Sequence, residues 1–166
     1  MTPAPSTSAQ WREFLVRRGA GTPGVEDWRG HGPAGAAAVA GLEERLGRAL
    51  PPSYRNFLLV SDGWSDPGTE LCGLLATPGI GWFEDVAGDL VEAWDEPEVA
   101  CFAADLAMLR RSLLVSDHGN GVFWLLNPNE VAGNGEWAAY EWDTGSGSPA
   151  RHADFAALVA AALAER

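Results

Sequence analysis

The sequence predicts an α+β fold in which a central, mainly antiparallel sheet is flanked by N-terminal helices and a C-terminal helix. Apolar residues in the first third of the chain recur at intervals of three and four, which is the helical period. Later segments alternate with a period of two around a tight Asn-Gly turn, and the helical period returns near the C-terminus. This order of elements is typical of an α+β layer. Within the 166 residues, we expect a partly disordered leader over residues 1–35 and one α+β domain over 36–166.

The leader begins with a stretch rich in Pro, Ser and Thr, residues 1–7, which we expect to be disordered. Thr7 and Gln10 then have the spacing of a capping box, and Trp11 begins an amphipathic pattern. The leader is therefore predicted to contain one short helix. The Gly- and Pro-rich residues 19–35 are predicted to form a loop.

Two further helices are predicted in the first third of the chain. Val39, Leu42 and Leu46 have helical spacing from about residue 36, and Gly47 is placed to end that helix. The Pro51-Pro52 pair lacks amide donors, so it suits the first turn of the next helix, where those donors would be unpaired.

The middle of the chain changes from the helical to the strand period. Residues 70–75 and 81–83 are predicted to be short strands. A third helix is predicted over 84–94, with its acidic residues directed outward and its apolar residues inward. The inward residues are Val86, Leu90, Val91 and Trp94.

A hairpin is the clearest strand signal. Residues 112–116 and 122–126 are predicted to be antiparallel strands joined by an Asn120-Gly121 turn, with Asn127-Pro128-Asn129 ending the second strand. A further strand is predicted over 137–142 because its residues alternate in character.

The last predicted element is a helix capped by Asp154. Phe155, Leu158, Val159 and Leu163 follow at helical intervals and are expected to line its buried side.

Charge is distributed unevenly along this acidic chain, whose net charge is −12. Between Asn56 and Leu109 the sequence contains no Arg or Lys, and all of the net charge except one unit arises there. A phosphate backbone favours clustered basic residues, so we predict that the protein does not bind nucleic acid. The eleven acids of this segment are Asp62, Asp66, Glu70, Glu84, Asp85, Asp89, Glu92, Asp95, Glu96, Glu98 and Asp105.

The sequence contains eight tryptophans, of which Trp28 lies in the predicted loop 19–35, where it could anchor the loop to the core. Four lie on predicted apolar stripes or strands and are expected in the core. These are Trp11, Trp82, Trp94 and Trp124. Three lie near predicted turns or polar loops and are expected at a surface or groove, because indole is favoured at protein interfaces. These are Trp64, Trp137 and Trp142.

Motifs for catalysis, cofactors or metals are weak. The Ser116-Asp117-His118 run suggests a hydrolase triad, but consecutive strand residues point to opposite faces, so we predict no enzyme. The three histidines lack metal-ligand spacing and no GxGxxG motif occurs, so no metal or cofactor is expected. The N-terminus does not resemble a signal peptide and no stretch has the ~18 apolar residues of a membrane span, so a cytoplasmic protein without membrane contact is predicted.

The first helices carry a family resemblance. Their apolar, Gly and Pro positions resemble the "lE..lg..lP..y..fl...nG" signature of the SUKH superfamily, which contains fungal cell-wall synthesis regulators and bacterial toxin-immunity proteins. The matching residues are Leu42-Glu43, Leu46-Gly47, Leu50-Pro51, Tyr54, Phe57-Leu58 and Asp62-Gly63. Later segments agree in order, so the similarity covers roughly residues 36–163. The resemblance implies an α+β fold and protein binding in place of catalysis. Where the family often has Asn-Gly-Gly, this chain has Asp62-Gly63-Trp64.

Together, resemblance and charge lead to one main hypothesis of function. The protein is expected to be an immunity protein that binds a cognate bacterial toxin encoded nearby and covers its active site, and a nuclease toxin would present a basic cleft to the acidic segment. The expected contact residues are Asp62, Trp64, Asp66, Glu84, Asp85, Asp89, Glu92, Asp95, Glu96, Glu98 and Trp142. An intracellular regulatory or scaffold module without a toxin is the alternative, and an acidic face can also serve solubility alone. The sequence leaves the oligomeric state open.

Overall fold

The computed structural model describes residues 4–19, 30–65, 73–94, 103–117, 121–145 and 148–164. Its helices are α1 (Ser8–Gly19), α2 (Ala36–Leu46), α3 (Pro52–Leu58), α4 (Phe83–Val86), α5 (Gly88–Trp94), α6 (Ala103–Arg110) and α7 (Phe155–Ala164). Its strands are β1 (Gly81–Trp82), β2 (Leu113–Leu114), β3 (Val122–Val131), β4 (Trp137–Asp143) and β5 (Ala150–His152).

The five strands form one sheet in the order β1-β2-β3-β4-β5, and each pairs antiparallel with its neighbour. Leu113 lies opposite Leu126, and Leu125 lies opposite Tyr140. Chain order and spatial order coincide, as in a meander. The predicted α+β class is confirmed, with helices flanking an antiparallel sheet.

Helix α1, which lies within the leader, packs against α3. Its capping box is confirmed: the Thr7 N–H donates to Gln10 Oε1 at 3.1 Å, and the Gln10 N–H donates to Thr7 Oγ1 at 3.2 Å. The Trp11 indole N–H donates to the Ser53 carbonyl oxygen at 2.9 Å, and Leu15 is buried beside it. The boundary at residue 35 stays a prediction, and residues 1–3 and 20–29 lie outside the described part of the chain.

Local signals set the ends of α2, α3 and α7 as predicted. Gly47 follows α2 with a φ of 67°, a left-handed conformation that glycine adopts without strain. Pro51 is the extended N-cap of α3, and Pro52 begins the helix. At α7 the Ala157 N–H donates to Asp154 Oδ1 at 2.8 Å, which confirms the predicted cap.

The sheet is covered on both faces. The large core, on the first face, joins α1, α2, α3 and α7 to the inward side chains of β2, β3 and β4. The sheet residues in the large core are Leu113, Trp124, Leu126, Trp137 and Ala139. The small core, on the second face, joins α4, α5 and α6 to the alternate residues of the same strands. Its members are Phe83, Ala87, Val91, Leu109, Leu114, Phe123, Leu125 and Trp142.

The single helix predicted over residues 84–94 is wrong, because two short helices replace it. Phe83, expected at the end of a strand, begins α4, and Ala87 interrupts the run with a φ of −134°. Phe83, Ala87 and Val91 are spaced by four and all enter the small core. Val86 lies on the other side and is 46% exposed, contrary to its expected inward direction.

The predicted end of the hairpin strand at Asn127-Pro128-Asn129 is also wrong. Strand β3 continues to Val131, and its register with β4 shifts between Asn127 and Val131. Such an irregularity accommodates a proline, which cannot donate to the ladder. The sequence patterns also missed α6 and β5. Of the strand predicted over 70–75, Leu74 forms bridges with Trp64 and Ser116, whereas 70–72 lie outside the described residues.

Candidate protein-binding surface

Helices α4 and α5 hold the acidic side chains of the middle segment on the second face of the sheet. Phe83 and Val91 fasten these helices to the small core, where both side chains are almost fully buried. The opposite side of the two helices is exposed, because helical residues three or four apart share a face. It carries Glu84, Asp85, Asp89 and Glu92, which we name the acidic face.

Three members of the acidic face form no ion pair within the described part of the chain. Glu84 forms an ion pair with Arg110 at 3.1 Å. Asp85, Asp89 and Glu92 form no ion pair or hydrogen bond with the residues that the structure describes. Asp85 also lines a groove that contains arginines. The negative potential of Asp89 and Glu92 is not neutralised by an ion pair, and it extends into solvent over about a Debye length.

Asp62 has a structural role in the turn after α3. Its Oδ1 accepts the Thr77 N–H at 2.7 Å, and its Oδ2 lies 3.3 Å from Thr77 Oγ1. The next residue, Gly63, has a φ of 79°, and a Cβ there would collide with the Leu74 carbonyl oxygen. The Asp62 carboxylate thus holds two loops together, and its partner contact stays a prediction. Of the other expected contact residues, Asp66, Asp95, Glu96 and Glu98 lie outside the described residues.

The expectation that Trp64, Trp137 and Trp142 are exposed is wrong. Their exposed fractions are 1%, 4% and 3%. Trp64 lies in the large core, 6.2 Å from Trp124 between ring centroids, and Trp142 lies in the small core, 5.6 Å from Phe123. Both tryptophans therefore stabilise the scaffold and are buried beneath the surface that a partner would contact.

The prediction that four tryptophans lie in the core is confirmed for two of them. Trp11 and Trp124 are buried as predicted, at 0% and 1% exposure. Trp82 is half-buried and reaches a groove, and the side chain of Trp94 is outside the described part of the structure. The indole N–H of Trp124 donates to Glu141 Oε2 at 2.8 Å, which satisfies its polar atom.

Beside the acidic face lies a groove of about 300 Å³ that the sequence patterns did not reveal. It is formed where the end of α2, β1, α4, the end of α6 and the irregular part of β3 meet. We name it the arginine groove, and its lining residues are Arg48, Trp82, Glu84, Asp85, Arg110, Arg111, Pro128 and Asn129. The one sequence signal for it is the Arg110-Arg111 pair, which ends the long stretch without basic residues.

Aromatic stacking supports one wall of the arginine groove. The rings of Trp82 and Trp137 lie 6.5 Å apart and are nearly parallel, at 14°. The Arg48 guanidinium lies 5.1 Å from the centroid of Trp137 and donates to the Pro128 carbonyl oxygen at 2.7 Å. A cation over an indole face is favourable, so Arg48 and the two indoles fix one another in place.

Groups suited to catalysis are scattered. Ser116 is buried, and its Oγ accepts the Trp124 N–H at 2.8 Å, whereas His118 lies outside the described residues. The ring of His31 lies between the Asp62 carbonyl oxygen and Ser65 Oγ, 2.9 Å from each, where it joins two loops. The described residues contain no group of His, Cys, Asp and Glu side chains able to hold a metal ion. Among the same residues, no helix is both long and apolar enough to cross a membrane.

Two glutamates near the β3–β4 turn have opposite pKa shifts. Burial raises the pKa of Glu136, although its carboxylate accepts the N–H and the hydroxyl of Ser53, both at 2.8 Å. Hydrogen bonds from Tyr140 and Arg151 lower the pKa of Glu130, at 2.6 Å and 2.9 Å respectively. Glu136 thus connects the start of α3 to the sheet from inside, whereas the Glu130 network lies at the surface.

Comparison with known families identifies the fold as a whole. The sequence model of the SMI1 / KNR4 family (SUKH-1) matches residues 33–165, that is, from just before α2 to the end of α7. No curated protein matches the chain. Proteins of this family act through protein–protein interaction and are not known as enzymes. Because the match spans most of the chain, the protein belongs to the SMI1 / KNR4 family (SUKH-1).

Proposed function

We propose that this protein is an immunity protein that binds a cognate toxin made by the same bacterial lineage and covers its active site. The observation that carries the proposal is the acidic face, on which Asp85, Asp89 and Glu92 are exposed and form no ion pair with the described residues. Membership in a family that includes toxin immunity proteins supports it. The toxin is proposed to be a nuclease, because a nuclease must present a basic cleft to hold nucleic acid.

Charge complementarity gives the proposed interaction its speed. An acidic face attracts a basic cleft before contact, and such steering raises association rates by one to three orders of magnitude at low salt. A face built on α4 and α5 is also preorganised, since Phe83 and Val91 fix both helices to the sheet. Little entropy is then lost on binding, which favours affinity.

The first experiment is a capture assay on the full chain. The tagged protein is mixed with the purified products of the genes on either side of its own, at 50 mM and 500 mM salt. We expect it to bind one basic neighbour, to release that neighbour at high salt, and to stop its cleavage of plasmid DNA or total RNA. Failure to bind or to inhibit either neighbour would contradict the proposal and favour a regulatory module.

A matched pair of variants tests the location of the interface. Glu92→Lys alters the acidic face, and Glu13→Lys makes the same charge change on α1, on the other side of the sheet; both glutamates are exposed. At low salt, Glu92→Lys should slow association several-fold in stopped-flow measurements, and Glu13→Lys should leave it nearly unchanged. Equal effects of the two variants would place the contact elsewhere.

A further inference from the structure

The arginine groove shares Glu84 and Asp85 with the acidic face and adds three arginines to them. We infer that it binds a carboxylate side chain of the partner protein, with Arg111 as the main donor. This inference rests on the proposed function, because it supplies the second half of the same interface. The inference requires the partner to carry one acidic residue beside the basic cleft that faces the acidic face.

The charges in the groove favour an anion. Three of the eleven basic residues of a chain with net charge −12 converge on its walls, although Arg48 is far in sequence from Arg110 and Arg111. Arg48 is held by the Pro128 carbonyl oxygen, and Arg110 is paired with Glu84. Arg111 is exposed and makes no ion pair or hydrogen bond with any residue of the described ranges. Its guanidinium is thus available to a partner.

The geometry of the wall favours a carboxylate that arrives on a side chain. Trp82 is half-buried and held by its stacking on Trp137, so it offers a fixed apolar surface to the carbon atoms of an Asp or Glu side chain. A guanidinium can donate two parallel hydrogen bonds to the carboxylate at the end of such a side chain. The groove therefore combines a flat apolar contact with a directional polar one.

Acidic residues of the same groove oppose multiply charged ligands. Glu84 and Asp85 line it together with the arginines. A phosphate or a nucleic-acid backbone would bring several negative charges close to these two carboxylates. A single carboxylate on an otherwise neutral or basic protein surface meets less repulsion and can pair with Arg111.

The two surfaces would have different roles in one interface. The acidic face acts at long range and attracts any basic partner, whereas the arginine groove acts at contact and requires an acidic residue at one position. A basic toxin without that residue would leave Arg111 unpaired in the complex and would bind less tightly. The groove is thus the element proposed to distinguish the cognate toxin from other basic proteins.

The groove is tested first without a toxin. The full chain is titrated with the blocked peptide acetyl-Gly-Glu-Gly-amide, which carries one carboxylate, while the indole N–H signal of Trp82 is followed by NMR, with Trp82→Phe to assign it. We expect a saturable shift in the millimolar range that acetyl-Gly-Gln-Gly-amide does not produce. Arg111→Gln should weaken the peptide at least fivefold, whereas Arg12→Gln, an exposed arginine on α1, should not.

Several results would overturn the inference. These are the absence of a saturable shift, an equal response to the Gln peptide, and an unchanged affinity in Arg111→Gln. Saturation of the same signal by inorganic phosphate at a similar concentration would also overturn it, since the site would then bind anions in general. None of these outcomes depends on a toxin, so they are distinct from failure of the capture assay.

A second measurement uses the complex with the captured toxin. Arg111→Lys keeps the positive charge but loses the paired guanidinium donors, so it should raise the dissociation rate at least fivefold and leave the association rate at low salt within twofold. Glu92→Lys should show the opposite pattern. If Arg111→Lys changed neither rate while Glu92→Lys slowed association, the groove inference would fail and the proposed function would stand.

Discussion

The two faces of the sheet are built in different ways. On the first face, helices from both ends of the chain enclose the large core, in which Trp11, Tyr54, Phe57 and Phe155 have ring centroids 4.7 to 6.3 Å apart. On the second face, short helices from the middle of the chain cover the small core and carry the acidic face. Packing is thus concentrated on one face and charge on the other.

This difference explains how the fold tolerates an acidic surface. Asp85, Asp89 and Glu92 repel one another, and their repulsion lowers the stability of the helices that carry them. The large core does not depend on those helices, so it can stabilise the sheet while α4 and α5 stay available for binding. Variation of the acidic face is then expected to change binding more than folding.

The largest expected effect on stability comes from the same Phe→Leu substitution made once in each core. Phe57 and Phe83 are both fully buried. Phe57→Leu should lower the free energy of unfolding by about 3 kcal/mol and Phe83→Leu by about 1.5 kcal/mol, because each lost ring pair contributes about 0.5 to 1.5 kcal/mol beyond burial. Phe57 contacts the rings of Trp11, Tyr54, Trp64 and Phe155, whereas Phe83 contacts those of Phe123 and Trp142.

Urea unfolding, followed by circular dichroism, gives the free energy of unfolding of both variants. An unchanged m-value shows that the substitution changed stability and not the surface exposed on unfolding. An equal loss in the two variants would break the comparison, because the small core would then stabilise the fold as much as the large one. A larger loss in Phe83→Leu would reverse it.

Sequence reasoning succeeded where the signal is local. Gly47, Pro51 and Asp154 act on the backbone within a few residues, so the helix ends that they set were predicted. The order of helices and strands followed from the periods of the apolar residues, except for α6, β5 and the division between α4 and α5. These features depend on bonds and spacing along the chain, which the sequence contains directly.

Sequence reasoning failed where contacts between distant segments determine which residues are buried or brought together. Trp64 follows a turn, which suggested exposure, but the bridge between Trp64 and Leu74 brings it under the sheet against Trp124. The arginine groove joins residues as far apart as Arg48 and Asn129. Neither result follows from a local pattern, because each depends on which strands become neighbours.

A smaller effect on stability is expected from removing a tyrosine hydroxyl group on each face of the sheet. The Tyr54 hydroxyl is buried in the large core and has no hydrogen-bond partner among the described residues, and burial raises its pKa. The Tyr140 hydroxyl donates to Glu130 on the second face at 2.6 Å. An unpaired buried hydroxyl costs about 1 to 3 kcal/mol, so Tyr54→Phe should stabilise the protein by about 1 kcal/mol.

Tyr140→Phe is the matched control, and it should destabilise the protein by about 1 kcal/mol because it removes a hydrogen bond to a carboxylate. Thermal unfolding at pH 7 separates the two outcomes, since the shifts in Tm have opposite signs. Loss of stability in Tyr54→Phe would show that a water or another group satisfies the Tyr54 hydroxyl.

The smallest expected effect is the pH dependence of stability that arises from Glu136 and Glu130. Burial raises the pKa of Glu136 above the ordinary value of 4.5, so the folded state binds its proton more tightly than the unfolded state does. Stability from this group is therefore present below pH 4.5 and is lost as pH rises through its folded pKa. Glu136→Gln keeps hydrogen-bonding groups near Ser53, so its stability relative to the wild type should increase from pH 4 to pH 7.

Glu130 should show the reverse, because Tyr140 and Arg151 hold its pKa below the ordinary value of 4.5. Its contribution is present above that value and is lost as pH falls through its folded pKa. Glu130→Gln should therefore lose more stability at pH 7 than at pH 3, with a small effect because the site is exposed. Urea midpoints measured from pH 3 to pH 7 give both slopes. Slopes of the same sign would contradict the distinction between a glutamate buried under the first face and one paired at the surface.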